Sequence, residues 1–206
     1  MGLARRFAEQ LARPEGFAGK LLGNAMDVAN RRPTRLALDL LGARDGERVL
    51  DAGCGTGATL DVLLDRAMVD AWGIDPSPTM IAQARARLGD RARLEKCLIE
   101  DMWFGDDTFD AVLALNVLYF ARPDGSTLRQ IHRVLRPGGR LVAYVTHRES
   151  MENWPFARQG VHRLFDTNEL VDELIAGGFA RAGISVQEHA ITGSVDGLLA
   201  CATKES

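Results

Sequence analysis

Short apolar runs alternate with amphipathic stretches from Glu47 onward, a rhythm typical of a parallel sheet that is covered by helices on both faces. The apolar runs predict strands over residues 48–51, 71–75, 92–99, 109–115, 140–145, 184–191 and 198–203. The amphipathic stretches predict helices over residues 60–68, 79–88, 126–135 and 167–176. The pattern therefore predicts an α/β fold with a seven-stranded, mostly parallel sheet, whose final strand we expect to be antiparallel.

Turn-forming residues divide these elements. Pro137, Gly138 and Gly139 predict a tight turn between the helix at 126–135 and the strand at 140–145, because proline ends a helix and glycine tolerates a positive φ. Thr167 is the predicted N-cap of the last helix, and two glycines at 177–178 are its predicted stop.

Residues 1–45 precede the sheet and carry apolar side chains at helical spacing, such as Leu3, Phe7 and Leu11. They predict two or three helices, broken near residues 14–16 and at Pro33. The sequence contains no internal repeat and no linker rich in Gly, Ser or Pro. We therefore expect one domain over residues 1–206, made of a helical lid or substrate segment (1–45) and an α/β core (46–206).

Composition agrees with a globular protein, since 46% of the 206 residues are hydrophobic and 26% are charged. No apolar run approaches the roughly 18 residues that a membrane span needs. The three cysteines, Cys54, Cys97 and Cys201, show no CxxC spacing, and the first residues lack the apolar core of a signal peptide. These features lead us to expect a cytoplasmic location.

Charge is distributed unevenly along the chain. Residues 1–44 hold 8 Lys/Arg and 4 Asp/Glu, which leaves 17 and 24 for the remainder. The acidic remainder argues against a nucleic-acid partner, which normally requires clustered basic charge. The basic head leaves open a peripheral contact with an anionic membrane surface.

The clearest candidate for a ligand-binding motif is VLDAGCGTG at residues 49–57. It predicts a buried strand, followed by three glycines at every second position and then by a helix. A turn of this kind lets a ligand approach the main chain, and the helix N-terminus offers free N–H groups. The alternative is a tight turn with a purely structural role. Asp75 ends the next strand 18 residues beyond Gly57, where a carboxylate can accept hydrogen bonds from ribose hydroxyls.

A nicotinamide dinucleotide would also fit a glycine turn with an acidic strand end. Its fingerprint is GxGxxG, however, whereas the spacing here is GxGxG and Asp51 lies two residues before the first glycine. This carboxylate would repel a pyrophosphate and could hold the ammonium group of S-adenosylmethionine (SAM). The turn therefore favours SAM over a dinucleotide.

These motifs resemble those of class I SAM-dependent methyltransferases, whose fold is Rossmann-like. The similarity extends over residues 47–146 through VLDAGCGTG, then GID at 73–75 and RPGG at 136–139, and more weakly to residue 179. The segments LYFARP at 118–123 and VLRPGG at 134–139 resemble the subgroup that methylates small molecules, including quinone, sterol and phospholipid precursors. The resemblance implies a small-molecule acceptor and the product S-adenosylhomocysteine.

The resemblance also implies a set of cofactor-binding residues. The glycines would border the methionine part of SAM, Asp75 the ribose, Pro76 and Met80 the adenine, and the residues after the fourth strand the sulfonium end. The full set is Asp51, Gly53, Cys54, Gly55, Thr56, Gly57, Asp75, Pro76, Met80, Ile99, Glu100, Asp101, Asn116 and Val117.

The adenine edge departs from the family pattern. Relatives often carry an Asp and a small apolar residue where this chain has Leu98 and Ile99. Either Glu100 or Asp101 receives the exocyclic amine, or the main chain at Ile99 alone contacts the ring.

Methyl transfer mainly requires alignment of the acceptor, and a general base is needed only for a protonated acceptor atom. The candidate bases are His147 and Tyr119, each following a strand, with His162 more distant. Ordinary packing is the alternative role for each. Trp154 and Phe156 are predicted to form the second wall of the pocket, or else to be core aromatics.

The sequence lacks the motifs that several other kinds of reaction require. There is no Asn-Pro-Pro-Tyr motif for amino-methylation of adenine or glutamine, no CxxxCxxC cluster for radical chemistry, and no metal-site spacing, so we expect no metal. Three alternatives stay open: a SAM-binding module without catalysis, a nicotinamide-dependent oxidoreductase, and a phospholipid N-methyltransferase at the membrane surface.

Overall fold

The computed structural model describes residues 26–154, 157 and 162–205. Its strands are β1 (Arg48–Ala52), β2 (Asp70–Asp75), β3 (Arg93–Lys96), β4 (Phe109–Leu115), β5 (Leu135–Thr146), β6 (Ile184–Thr192) and β7 (Val195–Thr203). Its helices are α1 (Arg31–Leu41), α2 (Ala58–Leu64), α3 (Pro78–Leu88), α4 (Ser126–Val134), α5 (Arg148–Met151) and α6 (Thr167–Ala176). The predicted helices before residue 26, with Leu3, Phe7 and Leu11, lie outside the described residues, as does Phe156.

The seven strands form one sheet in the order β3-β2-β1-β4-β5-β7-β6. The first five strands pair in parallel, whereas β7 is antiparallel to both β5 and β6. The predicted mostly parallel, seven-stranded fold with an antiparallel last strand is confirmed. The order reverses direction at β1, which pairs with β2 on one side and β4 on the other, and ligands of doubly wound sheets bind at such a point.

Helices cover both faces of the sheet because neighbouring residues of a buried strand point to opposite sides. Leu50 of β1 packs with side chains of α4 and α6, such as Leu128 and Leu170, on one face. Val49 packs with side chains of α1 and α2, such as Leu38 and Leu60, on the other. No helix among the described residues is long and apolar enough to cross a membrane.

The start of β5 differs from the predicted turn. Leu135 already pairs with Phe109, and the register then shifts before pairing resumes between Arg140 and Ala111. Residues 136–139 are therefore an irregularity inside a strand and do not connect a helix to it. The Gly138 N–H donates to the Lys204 carbonyl and the Lys204 N–H donates to the Gly139 carbonyl, each at 2.9 Å. These two hydrogen bonds hold residues 136–139 in place.

Other predicted boundaries were wrong by a few residues. The third strand ends at Lys96, because its partner in β2 is Asp75, the last residue of that strand. The N-cap of α6 is Asp166, not Thr167, and Asp166 and Glu169 bond each other's main-chain N–H in a capping box. Pro33 lies in the first turn of α1, where its missing N–H costs no helical hydrogen bond.

Candidate cofactor and acceptor site

Three glycines carry the chain from β1 into α2. Gly53, Gly55 and Gly57 have φ values of 93°, 52° and 77°, in the region that side chains disfavour. A Cβ at Gly53 would lie 2.1 Å from Val117 Cγ1, so this glycine lets the loop after β4 approach β1. A Cβ at Gly55 would meet no atom within 4 Å and would project into open space beside the cavity described below.

Asp75 at the end of β2 shapes the turn. Its Oδ2 accepts a hydrogen bond of 3.1 Å from the Gly55 N–H, and its Oδ1 accepts one of 2.8 Å from the Ser77 N–H. Burial raises the pKa of Asp75, while these two hydrogen bonds act in the opposite direction. The carboxylate therefore fixes the loop and also lines the cavity.

Asp51 is buried within β1, with only 2% of its surface exposed. Burial, reinforced by the nearby negative charge of Asp75, raises its pKa to about 7. A cation placed beside this carboxyl group would relieve both effects by favouring the ionised form. The site is therefore suited to a positively charged ligand.

One cavity of about 380 Å³ runs along the carboxyl ends of β3, β2, β1 and β4. Its volume falls within the range of small-molecule sites, about 300–1,000 Å³. The sequence-predicted residues that line it are Asp51, Gly53, Cys54, Gly55, Thr56, Asp75, Pro76, Met80, Ile99, Glu100, Asn116 and Val117. Two predicted cofactor residues, Gly57 and Asp101, do not line it.

The β3 end of the cavity is formed by residues 97–100. Leu98 lines it with 42% of its surface exposed. The Glu100 carboxylate also lines it and accepts a hydrogen bond from the Thr127 hydroxyl, whereas Asp101 is exposed on the surface. Of the two acids predicted near the adenine edge, the fold brings Glu100 to the cavity.

The two candidate bases lie elsewhere. The Tyr119 hydroxyl is buried behind the cavity, donates to Asn116 Oδ1 at 3.2 Å, and accepts from the Thr146 N–H. Burial raises the pKa of Tyr119. His147 caps α5, where its Nδ1 accepts from the Glu149 N–H at 3.2 Å. Neither side chain is among those that line the cavity within the described part of the chain.

Trp154 and His162, the remaining aromatic candidates among the described residues, do not line the cavity either. Trp154 is half-buried and packs against the larger of the two cores. His162 is buried, and its ring lies 4.9 Å from that of Phe120, which does line the cavity. In residues 26–154, 157 and 162–205, no group of three or more His, Cys, Asp or Glu side chains could hold a metal ion.

Sequence reasoning missed the part of the site contributed by residues 26–34. Asp27 and Asn30 line the cavity, although no local motif marks them. Asp27 accepts a hydrogen bond of 2.7 Å from Thr56 and forms an ion pair of 2.7 Å with Arg87, whose second nitrogen donates to Thr56 at 2.8 Å. This latch, Asp27–Thr56–Arg87, ties the segment that precedes α1 to the glycine turn and to α3.

The strand order, the glycine turn at the switch point and the acidic end of β2 define a Rossmann-like fold, of the kind in which nucleoside cofactors bind at this position. A family model described as a methyltransferase domain matches residues 50–143. This matched region, which runs from β1 into β5, is a methyltransferase domain of the class I, SAM-dependent type.

Individual relatives agree with this assignment. A demethylmenaquinone methyltransferase of Beutenbergia cavernae is 38% identical over 65% of this chain and 54% of its own length. An O-methyltransferase of Aspergillus sclerotiorum is 33% identical over 57% of this chain and 46% of its own. The chain thus spans about half the length of these curated relatives.

Solved structures share the fold. A 1,6-didemethyltoxoflavin-N1-methyltransferase of Burkholderia thailandensis, solved with its substrate and S-adenosylhomocysteine, superposes with a TM-score of 0.71 at 24% identity. The match covers 100% of this chain and 92% of that protein. The described strands, helices and glycine turn therefore belong to a fold that methyltransferases use.

Proposed function

We propose that this chain transfers a methyl group from SAM to a small-molecule acceptor. The observation that carries the proposal is the continuity of one cavity, which passes from the β3 end, across Asp75 and the glycine turn, to Asn116 and Phe120 beyond β4. Four adjacent strands at about 4.8 Å spacing span about 14 Å, a length suited to an extended nucleoside cofactor.

The residues present fit SAM. Gly55 leaves open space for the ligand, Asp75 offers carboxylate oxygens at the strand end, and the buried Asp51 favours a cation. When bound, SAM supplies a methyl group that its sulfonium already activates. The protein then has to hold the acceptor in line and keep water out, and proximity of this kind provides most of the acceleration.

The end of the cavity beyond β4, called the acceptor end below, has the composition expected of a small-molecule site. Val117, Phe120 and Pro33 provide apolar walls there, with Asn30 and Asn116 as neutral polar groups. A largely apolar cavity with a small number of polar groups is typical of small-molecule sites, whereas nucleic acids need a basic surface. Two of the similar proteins carry names of enzymes acting on small ring compounds, a demethylmenaquinone and a didemethyltoxoflavin.

The test is transfer of tritium from methyl-labelled SAM into three separate acceptor pools: a low-molecular-weight cell extract, tRNA, and phosphatidylethanolamine vesicles. We expect label in the first pool. Label in tRNA alone would contradict the proposal, and label in vesicles alone would support the alternative of a phospholipid N-methyltransferase. SAM binding with no transfer to any pool would support a module without catalysis.

A further inference from the structure

Three hydrogen bonds connect the main chain of β5 to the segment before α1. The Thr146 N–H donates to the Tyr119 hydroxyl oxygen, the Tyr119 hydroxyl donates to Asn116 Oδ1 at 3.2 Å, and Asn116 Nδ2 donates to Asn30 Oδ1 at 3.0 Å. Both asparagines line the acceptor end of the cavity.

The direction of this chain of hydrogen bonds is fixed from the buried end. A main-chain N–H can only donate, so the Tyr119 oxygen accepts from Thr146 and turns its own proton toward Asn116. Burial raises the pKa of Tyr119, which keeps that proton in place. The oxygen of each asparagine therefore already accepts one hydrogen bond, and the remaining N–H groups are those of Asn30 Nδ2 and the second N–H of Asn116 Nδ2.

Both asparagines depart from what their local structure favours. Asn30 stands at the N-cap of α1, yet its side chain makes no capping hydrogen bond and turns to Asn116 instead. Asn116 has a φ of 60°, a left-handed conformation that is uncommon outside glycine and that asparagine adopts more readily than most other residues. Two such departures at one point of a cavity are expected where the arrangement serves binding.

The surroundings of this pair indicate its ligand. Asp27, the charged residue on the same segment, is engaged by Arg87 and Thr56 in the latch. Asn30 and Asn116 line the same cavity as the apolar side chains of Val117 and Phe120, so their N–H donors lie beside apolar walls. An oxygen that accepts hydrogen bonds fits these donors, whereas an ammonium group, which only donates, would have to share asparagine oxygens that already accept one hydrogen bond each.

We infer that Asn30 and Asn116 form the recognition site for a hydrogen-bond-accepting oxygen, such as a phenolate, enolate or carbonyl oxygen, on a planar methyl acceptor. This inference rests on the proposed function and adds the class of acceptor. Tyr119 is a positioning residue in it, because it acts only through the orientation of the Asn116 amide.

The experiment compares two probes of equal size, pentafluorophenol, which is ionised at pH 8, and pentafluoroaniline. Each is titrated by ¹⁹F NMR into protein saturated with S-adenosylhomocysteine. We expect the phenolate to bind about 10-fold more tightly than the aniline, since hydrogen bonds to a charged group are the stronger ones. Asn30→Ala should remove most of this difference by weakening the phenolate alone.

Controls separate recognition from folding. Asn168→Ala removes the same side chain at an exposed position on α6 and should leave both affinities unchanged. Tyr119→Phe should lower the phenolate preference by a smaller factor, about 3-fold, because the Asn116 amide is then free to turn over. Folding of each variant is checked by its affinity for S-adenosylhomocysteine.

The outcomes are distinct. Equal binding of the two probes, no binding of the phenolate, or an unchanged preference in Asn30→Ala would overturn the inference. Failure of wild-type protein to bind S-adenosylhomocysteine would overturn the proposed function itself.

Discussion

The two ends of the cavity are built in different ways. The cofactor end comes from one βαβ unit, in which the glycine turn and Asp75 lie within 25 residues and the Gly55 main-chain N–H donates to the Asp75 carboxylate at 3.1 Å. The acceptor end joins Asn30 to Asn116, which are 86 positions apart, through side chains alone. Under the proposed function, the cofactor would thus bind to a locally encoded unit, whereas selection of the acceptor would depend on tertiary assembly.

The largest effect should follow from damage to the cofactor end. Asp75→Ala removes the carboxylate proposed for the ribose, and two hydrogen bonds to a charged group correspond to about a 100- to 1,000-fold loss of SAM affinity. Calorimetric titration with SAM measures this loss. Asp70→Ala is the matched control, since Asp70 begins the same strand but pairs with Arg48 and Arg93 away from the cavity. Equal losses in both variants would contradict the ribose assignment.

The next effect concerns pH. The pKa of Asp51 is raised from 3.8 to about 7 in the folded protein, so below pH 7 its carboxyl group holds a proton that a bound cation must displace. SAM affinity should rise about 10-fold between pH 6 and pH 8, with proton release, and Asp51→Asn should flatten this rise. Titrations in buffers of different ionisation enthalpy measure the protons released. A wild-type affinity that stays level with pH would remove Asp51 from the site.

The same shift has a consequence for stability. Between pH 4 and pH 7 the Asp51 carboxyl group is more protonated in the folded cofactor-free protein than in the unfolded chain, because its folded pKa is the higher one. The contribution of Asp51 to the free energy of unfolding should therefore fall as pH rises through this window, by as much as about 4 kcal/mol. Urea unfolding of Asp51→Asn should show a smaller fall.

A smaller loss of SAM affinity is expected from damage to the Asp27–Thr56–Arg87 latch, which joins the segment before α1 to the glycine turn. Asp27→Ala breaks the latch to Thr56 and Arg87, so the segment before α1 loses its tie to the glycine turn. We expect SAM affinity to fall about 3- to 10-fold, as for one partly buried charged contact. Asp39→Ala is the matched control, because the exposed Asp39–Arg66 pair at 2.7 Å lies outside the cavity. Equal effects would mean that the latch has no link to the cofactor.

The smallest effect is expected at His147, whose role as a base remains a prediction. Its side chain caps α5, so His147→Ala should cost about 1 kcal/mol of stability, and His147→Asn should restore the cap. Once an acceptor is known, turnover of both variants should fall less than 3-fold. A 100-fold fall in both, with SAM affinity unchanged, would establish His147 as the base.

These differences explain what the sequence could and could not predict. The sheet, the glycine turn and Asp75 were predictable because apolar periodicity and glycine spacing act over a few residues. Asn30, Asp27 and Arg87 were not, because single polar residues on helices carry no local pattern and acquire meaning only through distant partners. The turn at 136–139 was misjudged for a similar reason, since Lys204 anchors it.

SAM binding at the glycine-turn end of the cavity can be tested by parallel calorimetric titration of the wild-type protein with SAM, S-adenosylhomocysteine and NAD. We expect saturable binding of the first two and none of NAD. Binding of NAD alone would contradict this expectation and return the glycine turn to the dinucleotide class.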